Sequence, residues 1–116
     1  LLDKMKGKSV DGLIQKLEGL SDNKKIDKII KYKLPYELLP RNEEGICIYT
    51  GNLDCSNNKL IELPDNLTVN GDLYCSYNNL TELPDNLIVN GNLVCSNNKV
   101  KLNLPDDAKI KGSFIK

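Results

Sequence analysis

From Gly51 onward, apolar and polar residues follow a period of twenty. Leu53 and Cys55 flank Asp54, Leu60 and Leu63 flank Ile61 and Glu62, Pro64 follows, and Leu67 and Val69 flank Thr68. Residues 71–90 repeat this order with no residue gained or lost, and fourteen of the twenty positions are identical. A third copy begins at Gly91 and runs clearly to Val100, and a fragment of a fourth begins at Gly112. In an extended chain successive side chains point to opposite faces, so Leu53 and Cys55 share one face and Asp54 takes the other. The pattern predicts one short strand in each copy, followed by a loop and an extended return segment held by Leu63-Pro64 or Leu83-Pro84.

The six differences between the first two copies sort by side. They fall at Asn52/Asp72, Asp54/Tyr74, Asn57/Tyr77, Lys59/Asn79, Ile61/Thr81 and Thr68/Ile88, whereas Leu53, Cys55, Asn58, Leu60, Leu63, Pro64, Leu67 and Val69 recur unchanged. The constant set is the predicted interior and the variable set mostly the exterior. One copy cannot bury its apolar side alone, but stacked copies can. Stacking places Leu53, Leu73 and Leu93 in one ladder, Cys55, Cys75 and Cys95 in another, and Leu60, Leu80 and Val100 on the far side of the core. Asn58, Asn78 and Asn98 are expected to turn inward and satisfy backbone groups at the strand exit. Asn70-Gly71 and Asn90-Gly91 form the corners, with glycine allowing the backbone turn. A meander of hairpins with Asn-Gly turns competes with this reading. It leaves the Asn78–Pro84 half of each copy without a role, and the solenoid is preferred.

Residues 1–45 have a different rhythm. Val10, Leu13, Ile14, Leu17 and Leu20 recur at helical spacing, and Ser21-Asp22 opens a second helix with Ile26, Ile29 and Ile30 on one stripe, ended by Leu34-Pro35. These helices are read as an N-terminal cap over residues 1–45, with the repeats over 46–116. Lys24, Lys25, Lys28, Lys31 and Lys33 form a solvated helical face. Ile46–Gly51 stands where a copy would place its return strand and corner. Near the other end, Val100–Pro105 holds one residue more than the equivalent stretch of earlier copies, the mark of a decaying terminal repeat. Phe114 falls at the first inward position of the fourth strand.

Charge and chemistry narrow the function classes. Sixteen Lys and Arg balance sixteen Asp and Glu, which argues against a polyanion binder, so no nucleic-acid partner is expected. No apolar run is long enough to span a membrane. The sequence opens on Leu1 with no signal-peptide apolar stretch and reads as an excised piece. The four cysteines lack the clustering of a zinc site and are expected to be reduced packing residues, which favours a cytoplasmic location. With no histidine there is no Ser-His or Cys-His system, and no glycine-rich phosphate loop occurs. The chain is therefore expected not to be an enzyme and to need no cofactor or metal.

The stretch Leu73-Tyr-Cys75-Ser-Tyr-Asn78-Asn-Leu80-Thr-Glu-Leu83-Pro84-Asp-Asn-Leu87 resembles the short, Leu-Pro-containing leucine-rich repeats of bacterial effectors and of bacteriophage and large-virus proteins. The resemblance covers residues 46–116, and the wording Gly71-Asp-Leu-Tyr-Cys-Ser76 is closer to the phage and viral versions. It implies an α/β solenoid with a short parallel β-sheet on its concave face and a helical N-terminal cap. It further implies a protein-protein interaction module, one that occupies a host protein's surface if the phage likeness holds. The ubiquitin-ligase domain that some effectors carry is not in this sequence. The expected contact surface is Tyr74 and Tyr77, flanked by Asp54, Asp72, Asn92 and Val94, because tyrosine offers large area at low rotamer cost. The alternative function is a structural, self-assembling component of a particle with no separate target.

Overall fold

The computed structural model describes Gly12 and residues 15–116, and the chain falls into two compact units that divide between Leu39 and Pro40. In the first unit, helix α1 (Asp22–Lys31) starts at Ser21, whose extended backbone lets its hydroxyl accept from the Lys24 N–H at 3.3 Å, as a capping serine does. Ile26, Ile29 and Ile30 are buried, as their spacing predicts. The helix stops earlier than the Leu34-Pro35 signal suggested. Lys33 adopts a left-handed φ of 54°, and the Leu34 N–H donates back to the Ile29 carbonyl at 2.9 Å, which closes the helix with a Schellman bond. A single 3₁₀ turn follows at Tyr36–Leu38. Of the preceding helical stripe, Leu17 is buried, and Val10, Leu13 and Ile14 lie outside the described residues.

The second unit is a β-solenoid of about three turns. Its strands are β1 (Cys47–Tyr49), β2 (Leu53–Asp54), β3 (Leu67–Val69), β4 (Leu73–Tyr74), β5 (Ile88–Val89), β6 (Leu93–Val94), β7 (Lys109–Ile110) and β8 (Phe114–Ile115). They form two four-stranded parallel sheets, β1-β3-β5-β7 and β2-β4-β6-β8. Parallel pairing excludes the hairpin meander. Leu53 pairs with Leu73, Leu73 with Leu93 and Leu93 with Phe114, so the leucine ladder and the inward place of Phe114 are as the repeat required. The return segment goes beyond expectation: it is a second sheet, with Cys47, Leu67, Val69 and Val89 turned into the core.

Inside each coil Leu53, Cys55, Leu60, Leu63, Leu67 and Val69 are buried, and so are Leu73, Cys75, Leu80, Leu83, Leu87 and Val89. Asn78 is buried among them. Its Oδ1 accepts from the backbone N–H groups of Asn58 at 3.0 Å and Leu60 at 2.9 Å, while its Nδ2 donates to the carbonyls of Cys55 and Cys75, both at 3.0 Å. One amide thus joins two coils at the point where neither can use strand pairing. Asn98 repeats the arrangement, donating to Cys75 and Cys95 and accepting from the Leu80 N–H.

Two expectations are corrected. Gly71 and Gly91 do not adopt left-handed φ, which among the corner glycines belongs to Gly51 alone. They are needed for close approach: a Cβ at Gly71 would lie 2.7 Å from the carbonyl carbon of Gly51 and 2.8 Å from its oxygen, and at Gly91 both distances to Gly71 would be 2.9 Å. Val100 is 48 % exposed, and the buried apolar side chain of that stretch is Leu102, at 1 %. The chain bends through residues 97–100, and with one residue more before Pro105, Val100 lies off the core and the larger Leu102, two places later, fills it. Beyond it the strands pair again, with partners twenty-one residues apart instead of twenty. No helix among the described residues is long and apolar enough to cross a membrane.

Candidate functional site

The outward parity of sheet β2-β4-β6-β8 builds a row of side chains one coil apart. Asp54 pairs with Tyr74, Tyr74 with Val94 and Val94 with Ile115. The parallel pairing that buries the leucine ladder therefore brings together three of the expected contact residues. Sequence reasoning missed Ile115, which is exposed. The signal was available, since an inward Phe114 makes the next residue outward.

Tyr77 lies past the strand, at its exit. Its equivalents are Asn57 and Asn97, and all three have left-handed backbones, with φ of 58°, 56° and 57° in chain order. Asparagine visits that region readily, whereas a bulky residue there is an outlier. The Tyr77 ring is nevertheless 60 % exposed, so burial of the ring does not explain a tyrosine at this place.

Tyr74 is half-buried, and its hydroxyl donates to Asp72 Oδ2 at 2.9 Å. The other Asp72 oxygen accepts from the Asn92 N–H at 2.7 Å. That backbone bond first, and the Tyr74 hydroxyl second, hold the Asp72 carboxyl below its ordinary value. The same hydrogen bond to Asp72 pushes the Tyr74 phenol up, with its burial and the Asp72 and Asp54 charges acting the same way. At neutral pH the pair is therefore an anion holding a neutral phenol.

Asp72 and Asn92 have a second task that the sequence did not disclose. Asn52, Asp72 and Asn92 form a column in which each Oδ1 accepts a backbone N–H from the following coil, those of Asp72, Asn92 and Ser113, at 2.7–2.8 Å. These residues rim the row but are occupied by the stack. Asp54 is exposed, and its Oδ1 accepts from the Ser56 N–H at 3.0 Å, leaving the carboxylate's other oxygen facing outward as an acceptor. The row thus offers one anion, one tyrosine fixed by a hydrogen bond, one exposed tyrosine and two aliphatic side chains. No family model matches this chain, and neither a curated protein nor a solved structure matches it.

Proposed function

We propose that this chain is a protein-binding module whose partner docks on the outer face of sheet β2-β4-β6-β8, centred on Tyr74 and Tyr77. The observation that carries the reading is Tyr77: the middle coil alone replaces asparagine by tyrosine at a left-handed position and leaves the ring exposed. Tyr74, Val94 and Ile115 supply apolar area beside it, and Asp54 adds an anionic rim, a composition suited to a contact patch with a small buried centre. In the leucine-rich-repeat reading this face is the concave one. The module is a binder and not an enzyme, a reading supported by the absence of histidine from the whole sequence.

The test is affinity capture with the immobilised chain, followed by calorimetry on the captured partner with wild type, Tyr74→Ala and Tyr77→Asn. Each substitution is expected to weaken binding by about 1–3 kcal/mol. Unaltered affinity in both removes this face as the site. A light-scattering concentration series on the isolated chain separates partner binding from self-assembly, because only self-assembly raises the apparent mass with concentration.

A further inference from the structure

Cys55, Cys75 and Cys95 are free, buried and stacked on successive coils. Each follows its strand, and backbone bonds continue through them, from the Cys55 N–H to the Tyr74 carbonyl and from the Cys75 N–H to the Val94 carbonyl, both at 2.8 Å. Parallel neighbours of this kind stand about 4.8 Å apart, within the span of a disulfide. The three thiols are unequal in surroundings. Cys95 lines an open cavity of about 340 Å³ together with Ser96, Asn98, Lys99, Lys101 and Lys116. Cys75 lies one coil behind it in the same ladder, the residue after the Tyr74–Val94 pair in each strand, and is fully buried. Cys55 has no place on the cavity wall.

We propose that Cys95 and Cys75 form a hydroperoxide-sensitive thiol pair, in which Cys95 is the attacking sulfur and Cys75 the resolving one. The Cys95 thiol gives its proton to solvent, and its sulfur attacks the peroxide O–O bond. A sulfur–oxygen bond forms and the departing oxygen leaves as alcohol or water. The Cys75 sulfur then attacks Cys95, displacing the sulfenic oxygen, which takes the Cys75 proton and leaves as water. Two thiols and one hydroperoxide become one disulfide, one alcohol or water, and one water.

The surroundings favour this order. The hydrogen bond from Cys75 draws the Cys95 thiol below its ordinary value despite burial, and the Lys116 charge helps. The Lys116 ammonium sits 5.6 Å from the centroid of the Phe114 ring, which keeps it at this end of the stack. Hydrogen bonding to Cys95 and burial push the Cys75 thiol well up, so it is not the first nucleophile. Burial, aided by the Asp54 charge, pushes the Cys55 thiol up to about 12, and it stays inert. A cavity that holds water needs only about 10–15 Å³, so this one admits hydrogen peroxide readily.

The test treats the folded 116-residue chain with hydrogen peroxide, alkylates the remaining thiols in denaturant and maps peptides by mass spectrometry. The expected product links Cys75 to Cys95 and leaves Cys47 and Cys55 alkylated. Lys116→Gln, an exposed change that leaves the core intact, should slow the linkage roughly threefold by weakening the thiolate. In Cys75→Ala a dimedone adduct should appear on Cys95. Alkylation of all four thiols after peroxide treatment overturns the proposal. So does a Cys55–Cys75 link that forms as fast, or a linkage rate indifferent to Lys116→Gln.

Discussion

The coils Gly51–Asn70 and Gly71–Asn90 have the same interior and different fronts. Leucines, cysteines and valines occupy the same buried places in both, and the column formed by Asn52 and Asp72 accepts the same backbone bond. On the front, Asp54 and Asn57 of the first coil become Tyr74 and Tyr77 of the second. The interior must repeat because each coil is the template for the next. The front meets no such demand and diverges, at Tyr77 against the local backbone preference, as the outward places Ile61/Thr81 and Thr68/Ile88 do elsewhere on the coil. The difference separates residues that make the solenoid from residues the solenoid displays.

The comparison breaks most severely from the inside. Leu73→Ala and Leu53→Ala should each cost about 2–5 kcal/mol in chemical denaturation, because both remove a ladder side chain from a packed core. Asn78→Ala should cost about 3 kcal/mol, since it strands the Asn58 and Leu60 N–H groups and the Cys55 carbonyl away from water. Equal stability of wild type and Asn78→Ala would show that another group satisfies them.

Changes at the front should be milder and of the opposite sense. Tyr77→Asn makes the second coil resemble the first and should raise stability by about 0.5–1 kcal/mol, because asparagine tolerates the left-handed backbone better. Denaturant midpoints decide it, and a loss of stability would mean that the ring contributes packing to the coil.

The smallest effect is a pH dependence that distinguishes Asp72 from Asn52. Asp72 is an acid whose folded pKa lies below its ordinary 3.8, so it binds a proton less readily folded than unfolded. Its contribution is present above that ordinary value and is lost as pH falls through the lower folded value. Urea midpoints followed from about pH 5 to pH 2 should show a steeper loss in wild type than in Asp72→Asn, whose second coil carries the amide of the first. Identical slopes would remove the linkage.

Much of this was legible because the repeat is written twice. Leu53, Leu73 and Leu93 disclosed the ladder, and the alternation around Asp54 and Tyr74 disclosed the row. The second sheet was legible only as an extended return segment, with a strand at Ile46–Gly51, because Leu63-Pro64 and Leu83-Pro84 mark extension while pairing with the neighbouring coil, and not the segment's own sequence, makes it a sheet. The role of Gly71 was misread for the same reason: its constraint is the backbone of Gly51, twenty residues away. Val100 misled because one added residue changed which side chain the bend carries inward. At the site, the outward direction of Tyr74 followed from parity. The occupation of Asp72 and Asn92 depends on hydrogen bonds between coils, which a single copy does not reveal.

The constant register between Gly51 and Asn90 has a hereditary consequence. Each coil hands on the surface it receives, so a copying error that duplicates or deletes one whole unit leaves every junction of a familiar kind, whereas loss of a single interior residue shifts all later partners. The stretch Val100–Pro105 that continues the bend at residues 97–100, where one added residue left the later pairing intact, is where the fold accommodates a smaller change of length. Lineages of this protein should therefore differ from one another mainly in the number of coils and in the length of that stretch.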